Sequence, residues 1–554
     1  MNVKFYQDLI DDELSMNIIL DMKGLVEIGT KKSNLEREVL KDISSKKTFQ
    51  NKNEAYQFLK ELYENGLSHL EDKLLKFNPR LVIEEAMIFF TPLNKLSILK
   101  LNGKLDLERI KVYFPKIYKS LNSIKNKNEE DIRILFTTLS SYIGINKKAI
   151  DVLVNVNLVR IEENQTESSL NRPSDKEFLE ILDFSFGVCR LFNFFQMVSK
   201  EKESDFSDNT IYVENGELYY HNSKDFMVNL ATNAAFKDFT YPVKDSELNK
   251  IYGLYEEEFG FSPEKVLKTF NRMFKQDSLE MVFCSRKDEF RKLINISKGT
   301  LTLKGLLTLL ETDICLEYNK QDRYKFIFSD KCKVSTKGLV KIQDNYFFNF
   351  ATIASYSNKL GNNLLNQDFL RNNELSSEKI SRYLANSYAE KWLVNLHSKL
   401  TSENIWIQIQ VKNFEQKFNF PDSRGTTKEV DFILFDASRK VLLIGEYKNW
   451  QDVSFNFLDI HKEQEKIKKI NKSHINFLNI LELEKKVLFE LLNLEIDYAK
   501  LELINVFENR NMLCNNRELD LEKFNIKNFT RVEFEKYIED NKPHFYKLKE
   551  NNKS

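Results

Sequence analysis

The sequence predicts an α+β protein whose N-terminal region is largely helical, whose middle region is α+β, and whose C-terminal region is an α/β domain of order αβββαβ. Three observations predict it. Glycine (15) and proline (8) together are scarce among 554 residues, which favours long helices over loop-rich β architecture. Apolar residues recur at three- and four-residue spacing through the first third, the mark of amphipathic helices. Past Leu400 the period switches to extended runs of β-branched and aromatic residues.

Taken in order, helices are predicted over Asn53–Phe77 and within Asp106–Gly144. Asp131–Gly144, Asn146–Val156 and Leu158–Ile161 read as helix, helix and short strand, a succession similar to a winged helix-turn-helix. A plain helical bundle with one extended end is the competing reading, because no cluster of arginines marks a groove-reading helix. Glu162–Asp175 is polar, contains Pro173, and reads as a linker. Beyond it, Asn215-Gly216 between Ile211–Glu214 and Glu217–Tyr220 predicts a hairpin, since Asn-Gly accepts the positive φ angles of a type I′ turn. Leu301–Glu311 reads as helix, and Ile314–Tyr318 with Tyr324–Phe328 as a strand pair. Asn358–Ser377 is rich in Asn and Ser and precedes a helix from Ser377 to about Leu400, with Ser377 as its N-cap. Strands follow at Ile405–Val411, Glu429–Phe435 and Lys440–Tyr447, then helix Asp459–Leu478, strand Leu501–Val506 and a closing helix Arg531–Ile538. The expected domains are therefore residues 1–165, 175–370 and 377–545.

Composition removes several function classes. Lys+Arg and Asp+Glu are 83 each, so no global field recruits nucleic acid or membrane, and any nucleic-acid affinity needs a local basic patch, a partner subunit or homo-oligomerisation. Met1–Leu20 carries four acids and no signal-like apolar run, and no later stretch reaches the ~18 apolar residues of a membrane span; a cytoplasmic protein without membrane contact is expected. The five cysteines are scattered and no Cys-x-x-Cys occurs, which encodes neither a disulfide framework nor a cysteine zinc site. No G-x-G-x-x-G or H-E-x-x-H is present, and the nearest phosphate-loop match, Gly24 to Lys31, has Thr before Lys and Glu27 inside the loop. The aromatic run Tyr346–Phe348 reads as core, since nothing basic is interleaved with it.

The chemistry concentrates at Glu429-Val-Asp431 and at Lys440–Trp450. Val441–Ile444 is continuously apolar, as a strand buried on both faces requires, yet it runs directly into Glu446-Tyr-Lys448. Alternate strand residues share a face, so Glu446 and Lys448 stand together, about 7 Å apart along the chain. Asp431, on the adjacent strand, completes a carboxylate pair. Such a pair suits a hard cation that keeps open positions for water and a phosphate oxygen. A strand-end ion pair beside an unrelated aspartate explains the same residues without catalysis.

Asp431, Glu446 and Lys448, preceded by Glu390 on a helix, resemble the PD-(D/E)XK, or restriction-endonuclease-like, nuclease superfamily over about Ser377 to Asp540. Two departures stand out. Glu429-Val430 replace the family's proline, and Gln464 is followed by Lys468 where some members have tyrosine. The resemblance implies a restriction-endonuclease-like domain in which Asp431, Glu446 and Glu390 bind Mg²⁺, with Mn²⁺ as a substitute, and Lys448 positions the attacking water. Lys462, Lys466 and Lys469 on the following helix are candidates for phosphate contacts, although a solvated helix face accounts for them equally well. His461 could donate to a phosphate but reads better as a surface or capping residue, and Arg424, in the loop before Asp431, is open in the same way.

The expected function is hydrolysis of phosphodiester bonds, in DNA, by a Mg²⁺-dependent nuclease whose N-terminal region selects the target or holds the enzyme in check. Similar layouts serve bacterial anti-phage defence. A repair or recombination nuclease is the alternative within the same chemistry. A catalytically inactive nucleic-acid-binding or assembly module and a helical interaction protein are the alternatives outside it.

Overall fold

The computed structural model describes residues 3–22, 33–43, 45–101, 104–123, 129–163, 171–200, 206, 210–220, 245–260, 262–265, 268, 282–286, 311–312, 327–328, 334, 339–342, 345–349, 364, 376–384, 388–411, 430–448, 473–494, 498–507 and 526–545. The chain forms two compact units, Met1–Ser377 and Glu378–Ser554.

The first unit is built on helices α1 (Val3–Met22), α2 (Asn34–Leu40), α3 (Lys52–Leu74), α4 (Pro79–Leu99), α5 (Leu107–Tyr113), α6 (Pro115–Ser123), α7 (Glu129–Glu162), α8 (Asp175–Lys200) and α9 (Asp245–Phe259). Pro115 opens α6, where its missing N–H costs nothing, so the expected helical stretch from Asp106 breaks there. Leu158–Ile161, expected as a short strand, is helical. These residues are the end of α7, one unbroken 34-residue helix. A single Gly144 inside a helix costs only about 1 kcal/mol relative to Ala, and the buried Ile143, Ile150, Leu153, Val154, Leu158 and Val159 outweigh it. The buried Arg160 donates to Asn157 Oδ1 at 2.8 Å and to Phe77 O at 3.2 Å, which ties the last turn of α7 to the residues after α3.

Short strands β1 (Lys47–Thr48), β2 (Lys100–Leu101), β3 (Lys104–Leu105), β4 (Ile211–Glu214), β5 (Glu217–Tyr220), β6 (Val282–Arg286), β7 (Glu311–Thr312), β8 (Leu339–Ile342) and β9 (Asn345–Asn349) complete this unit. The β4–β5 hairpin turns on Asn215 and Gly216 at φ of 52° and 70°, as the Asn-Gly pair predicts. Tyr346, Phe347 and Phe348 are buried core residues on β9. Most of the expected linker, the helix Leu301–Glu311 and the strand pair at 314–328 lie outside the described residues.

The second unit begins with helices α10 (Glu378–Arg382) and α11 (Tyr388–Ser402). A five-stranded sheet follows, β10 (Ile407–Val411), β11 (Val430–Asp436), β12 (Val441–Lys448), β13 (Lys500–Phe507) and β14 (Ile526–Thr530), in that spatial order. The β10–β11 and β11–β12 pairs are antiparallel, while β12–β13 and β13–β14 are parallel. Helices α12 (residues 473–483) and α13 (Lys485–Leu491) connect β12 to β13, and α14 (Arg531–Asn541) closes the unit. The sheet is covered on both faces. Ile433, Leu442, Ile444, Leu501 and Leu503 pack against Phe477, Leu478 and Leu481 of α12 and Leu488 of α13. On the other face Phe432, Leu443, Tyr447, Ile504 and Val506 pack against Trp392 and Leu396 of α11 and Phe534 of α14. Burial on both faces is why β12 reads as a continuous apolar run over Val441–Ile444. The hydroxyl of Ser377, expected as an N-cap, donates to Glu258 Oε2 at 2.8 Å.

Candidate active site at the end of strand β12

A tight turn sets the register of the two strands that matter. Asp436 Oδ1 accepts from the Arg439 N–H at 2.9 Å and from the Ser438 hydroxyl at 3.1 Å, and Lys440 takes a φ of 52° to return the chain. From there β12 runs antiparallel to β11 until Gly445 stands opposite Phe432. The glycine is required: a Cβ there would lie 2.0 Å from Phe432 Cζ, so the ring occupies the space that any side chain would take. The paired register ends there, with Asp431 and Glu446 the next residue on each strand.

The alternation of β12 places Glu446 and Lys448 on the face of Leu442 and Ile444, and Tyr447 on the opposite face. Lys448 Nζ donates to Glu446 Oε2 at 2.5 Å, and His474 Nε2 lies 3.1 Å from the same oxygen. His474 is 4% exposed and Glu446 12%, so this cluster is largely removed from water. Burial works to raise the Glu446 carboxyl. The hydrogen bond from His474, together with the positive charge and hydrogen bond of Lys448, outweighs burial and holds it well below the usual carboxylate range. Glu446 is therefore an ionised, largely buried carboxylate at neutral pH. Both of its partners among the described residues bond Oε2. Asp431 is anchored differently: its Oδ2 accepts the Tyr447 backbone N–H at 2.6 Å, which fixes the aspartate against the end of the strand pair.

Polar residues continue across the sheet at this level. Glu446 is in register with Asn505 on β13, and Asn505 with Asn528 on β14. Asn505 is fully buried and donates from Nδ2 to Asn528 Oδ1 at 2.9 Å. Sequence reading passed over His474 and Asn505. Each has a signal in retrospect: Asn505 interrupts the otherwise apolar Leu503–Phe507, and His474 occupies a position in the stripe of Phe477, Leu478 and Leu481 where an apolar residue is expected.

The structure thus brings Glu446 and Lys448 into contact and sets Asp431 on the neighbouring strand. Glu390 stands exposed in the first turn of α11, the helix whose packing residues cover the opposite face, and it makes no contact with this cluster among the described residues. Lys462, Lys466 and Lys469, along with His461, Gln464 and Arg424, lie outside the described residues. Among the described residues no group of three or more His, Cys, Asp or Glu is arranged to hold a metal ion. The donor chemistry of the pair itself fits a hard divalent cation, which uses one or two protein carboxylates and keeps its remaining positions for water and phosphate oxygens. No described helix is long and apolar enough to cross a membrane.

Compared with known proteins, the chain matches no family model, and no curated protein or solved structure gives a significant match.

Proposed function

We propose that the C-terminal unit is a metal-dependent nuclease of the PD-(D/E)XK type that hydrolyses phosphodiester bonds in DNA. The observation that carries this reading is the juxtaposition of an ionised Glu446 and the Lys448 ammonium on one face, at the end of a strand otherwise buried on both sides, with Asp431 on the neighbouring strand. Asp431 and Glu446 would hold Mg²⁺, or Mn²⁺ in its place, which when bound acidifies a water and stabilises charge on the reacting phosphate. Lys448, paired with Glu446, would orient that water or donate to the phosphate oxygens. Asp431, anchored by the Tyr447 N–H, would supply the second carboxylate. On this reading the N-terminal unit selects the target or restrains cleavage, and the protein serves as a cytoplasmic nuclease, for which anti-phage defence is the role we favour over repair. Glu390 is the part of the expected constellation that the geometry supports least.

One observation favours a second reading, a catalytically silent nucleic-acid-binding or assembly module: Lys448 and His474 already compensate Glu446, as a purely structural cluster would. Titration of the full chain with Mg²⁺ and Mn²⁺ separates the two. The nuclease reading expects saturable binding that is lost in Asp431→Ala with folding retained. Equal binding, or none, in wild type and variant would remove Asp431 from the site.

A further inference from the structure

Resting on that reading, we propose that His474 is a positioning residue of the site: with Lys448 it fixes Oε2 of Glu446 so that Oε1 is presented to the divalent cation, and its imidazole is not itself a ligand. Three alternatives for a buried histidine beside a carboxylate have to be weighed. The first is core filling. The stripe of α12 that faces the sheet is His474, Phe477, Leu478 and Leu481, and its other members pack among Leu442, Ile444 and Leu503. A leucine would serve that purpose as well, and a histidine at 4% exposure has to satisfy two ring nitrogens where a leucine has none. The ring is instead placed with Nε2 on Glu446 Oε2 at 3.1 Å.

The second alternative is ligation. Two ligands on adjacent vertices of an octahedral cation, each at about 2.1 Å, lie about 3.0 Å apart, close to the spacing seen between His474 Nε2 and Glu446 Oε2. The other ring nitrogen decides against it. For Nε2 to bind a cation it must offer its lone pair, which moves the ring proton to Nδ1. Nδ1 is buried and has no hydrogen-bond partner, whereas metal-ligating histidines almost always donate that second N–H to a carboxylate, carbonyl or water. Ligation would strand that donor, whereas donation from Nε2 leaves Nδ1 an unprotonated nitrogen and gains the bond to Glu446. With Nε2 3.1 Å from Glu446 Oε2, the contact is a hydrogen bond when Nε2 carries the proton, and the imidazole then acts as a donor.

The third alternative is the one proposed. Both donors converge on a single oxygen. Lys448 comes along the strand from Glu446's own face, and His474 comes from the helix above. A carboxylate held at Oε2 from two directions has its rotation about the terminal bond fixed, which leaves Oε1 as the oxygen without a partner among the described residues. The cation is then met by oxygen donors alone, the choice that suits Mg²⁺ and Mn²⁺ and disfavours Zn²⁺.

The test compares wild type, His474→Gln and His474→Leu as full-length protein. Calorimetric titration with MgCl₂, MnCl₂ and ZnCl₂ is read beside thermal unfolding and the kcat and KM for duplex cleavage. Glutamine can place an N–H near Nε2 of the histidine, and leucine fits the stripe but donates nothing. We expect His474→Leu to lose about 10-fold or more in Mg²⁺ and Mn²⁺ affinity, with kcat falling more than KM rises. His474→Gln should stay within about 3-fold of wild type, the scale of context effects on such bonds. If wild type and His474→Leu bind metal equally, His474 is core filling and the proposal is overturned. If Gln and Leu lose affinity alike and wild type prefers Zn²⁺, the ring is a ligand and the proposal is equally overturned. Failure of wild type to bind any of the three cations would overturn the metal site itself, a result distinct from both.

Discussion

Gly445→Ala should be among the most disruptive single-methyl changes available in the C-terminal unit. The added Cβ would sit 2.0, 2.2 and 2.3 Å from three atoms of the Phe432 ring, where carbon atoms prefer about 3.5–4.0 Å, so the ring must move by more than 1 Å. It has little room to do so: Phe432 is fully buried, with Trp392 at 6.1 Å and Phe534 at 5.2 Å between ring centroids. Overpacking of this kind costs about 1–3 kcal/mol, and the crowding here points to the upper end. At about 2–4 °C per kcal/mol for a unit of this size, the melting point should fall by roughly 6–12 °C. All three tryptophans of the chain, Trp392, Trp406 and Trp450, belong to this unit, so urea unfolding followed by tryptophan fluorescence reports it selectively. Combining Gly445→Ala with Phe432→Leu should relieve the clash, giving a double variant less destabilised than the sum of the two single ones. A Gly445→Ala midpoint within about 0.5 kcal/mol of wild type, or strict additivity with Phe432→Leu, would refute the close packing inferred at the base of the site.

Two further expectations are independent of activity. In the N-terminal unit, the backbone N–H of Ser174, then the Lys76 ammonium and the Ser174 hydroxyl, hold the exposed Glu177 carboxyl down at about 2, in a capping box at the start of α8. A depressed carboxyl contributes stability that is present above its unfolded value of about 4.5 and is lost as pH falls toward about 2. Glu177→Gln should therefore lower the melting point at pH 7 and converge with wild type near pH 2, and an undiminished difference at low pH would contradict the ionic origin. Behind the site, Trp392 stacks on Tyr447 at 4.7 Å and donates to Glu535 Oε1 at 3.0 Å. Trp392→Ala should cost about 3–5 kcal/mol in urea unfolding, and Trp392→Phe, which retains the stack, about 1 kcal/mol, the worth of the lost hydrogen bond; equal costs would show that the ring stack contributes little.

The sheet was legible where burial on both faces forces continuous apolar runs, as in Val441–Ile444, and where charge interrupts such a run, as at Glu446 and Lys448. Strand β14 was missed because Ile526–Thr530 carries Lys527 and Asn528 on an edge, where polar residues are tolerated and no apolar run forms. His474 escaped notice for a different reason. The lysines before it drew attention to a charged face, whereas the informative feature was one polar ring in an apolar stripe, whose meaning depends on the carboxylate it meets across the layer. Asn505 is legible as an anomaly in β13, but only the register ties it to Glu446. The Leu158–Ile161 segment was misread because a short apolar run with β-branched residues before a polar stretch suggests a strand when viewed locally, and tertiary burial along α7 decides otherwise. Glu390 was placed by resemblance, and nothing in the periodicity of α11 speaks to which side of the sheet its first turn serves.

The most direct test of the central claim is cleavage of plasmid, linear duplex, single-stranded DNA and RNA by the full chain, with Mg²⁺, Mn²⁺ or EDTA, beside folded Glu446→Ala and Lys448→Ala variants. The account predicts cutting of DNA that requires the metal and disappears in both variants. Metal-dependent cutting that survives loss of Glu446 and of Lys448 would contradict it.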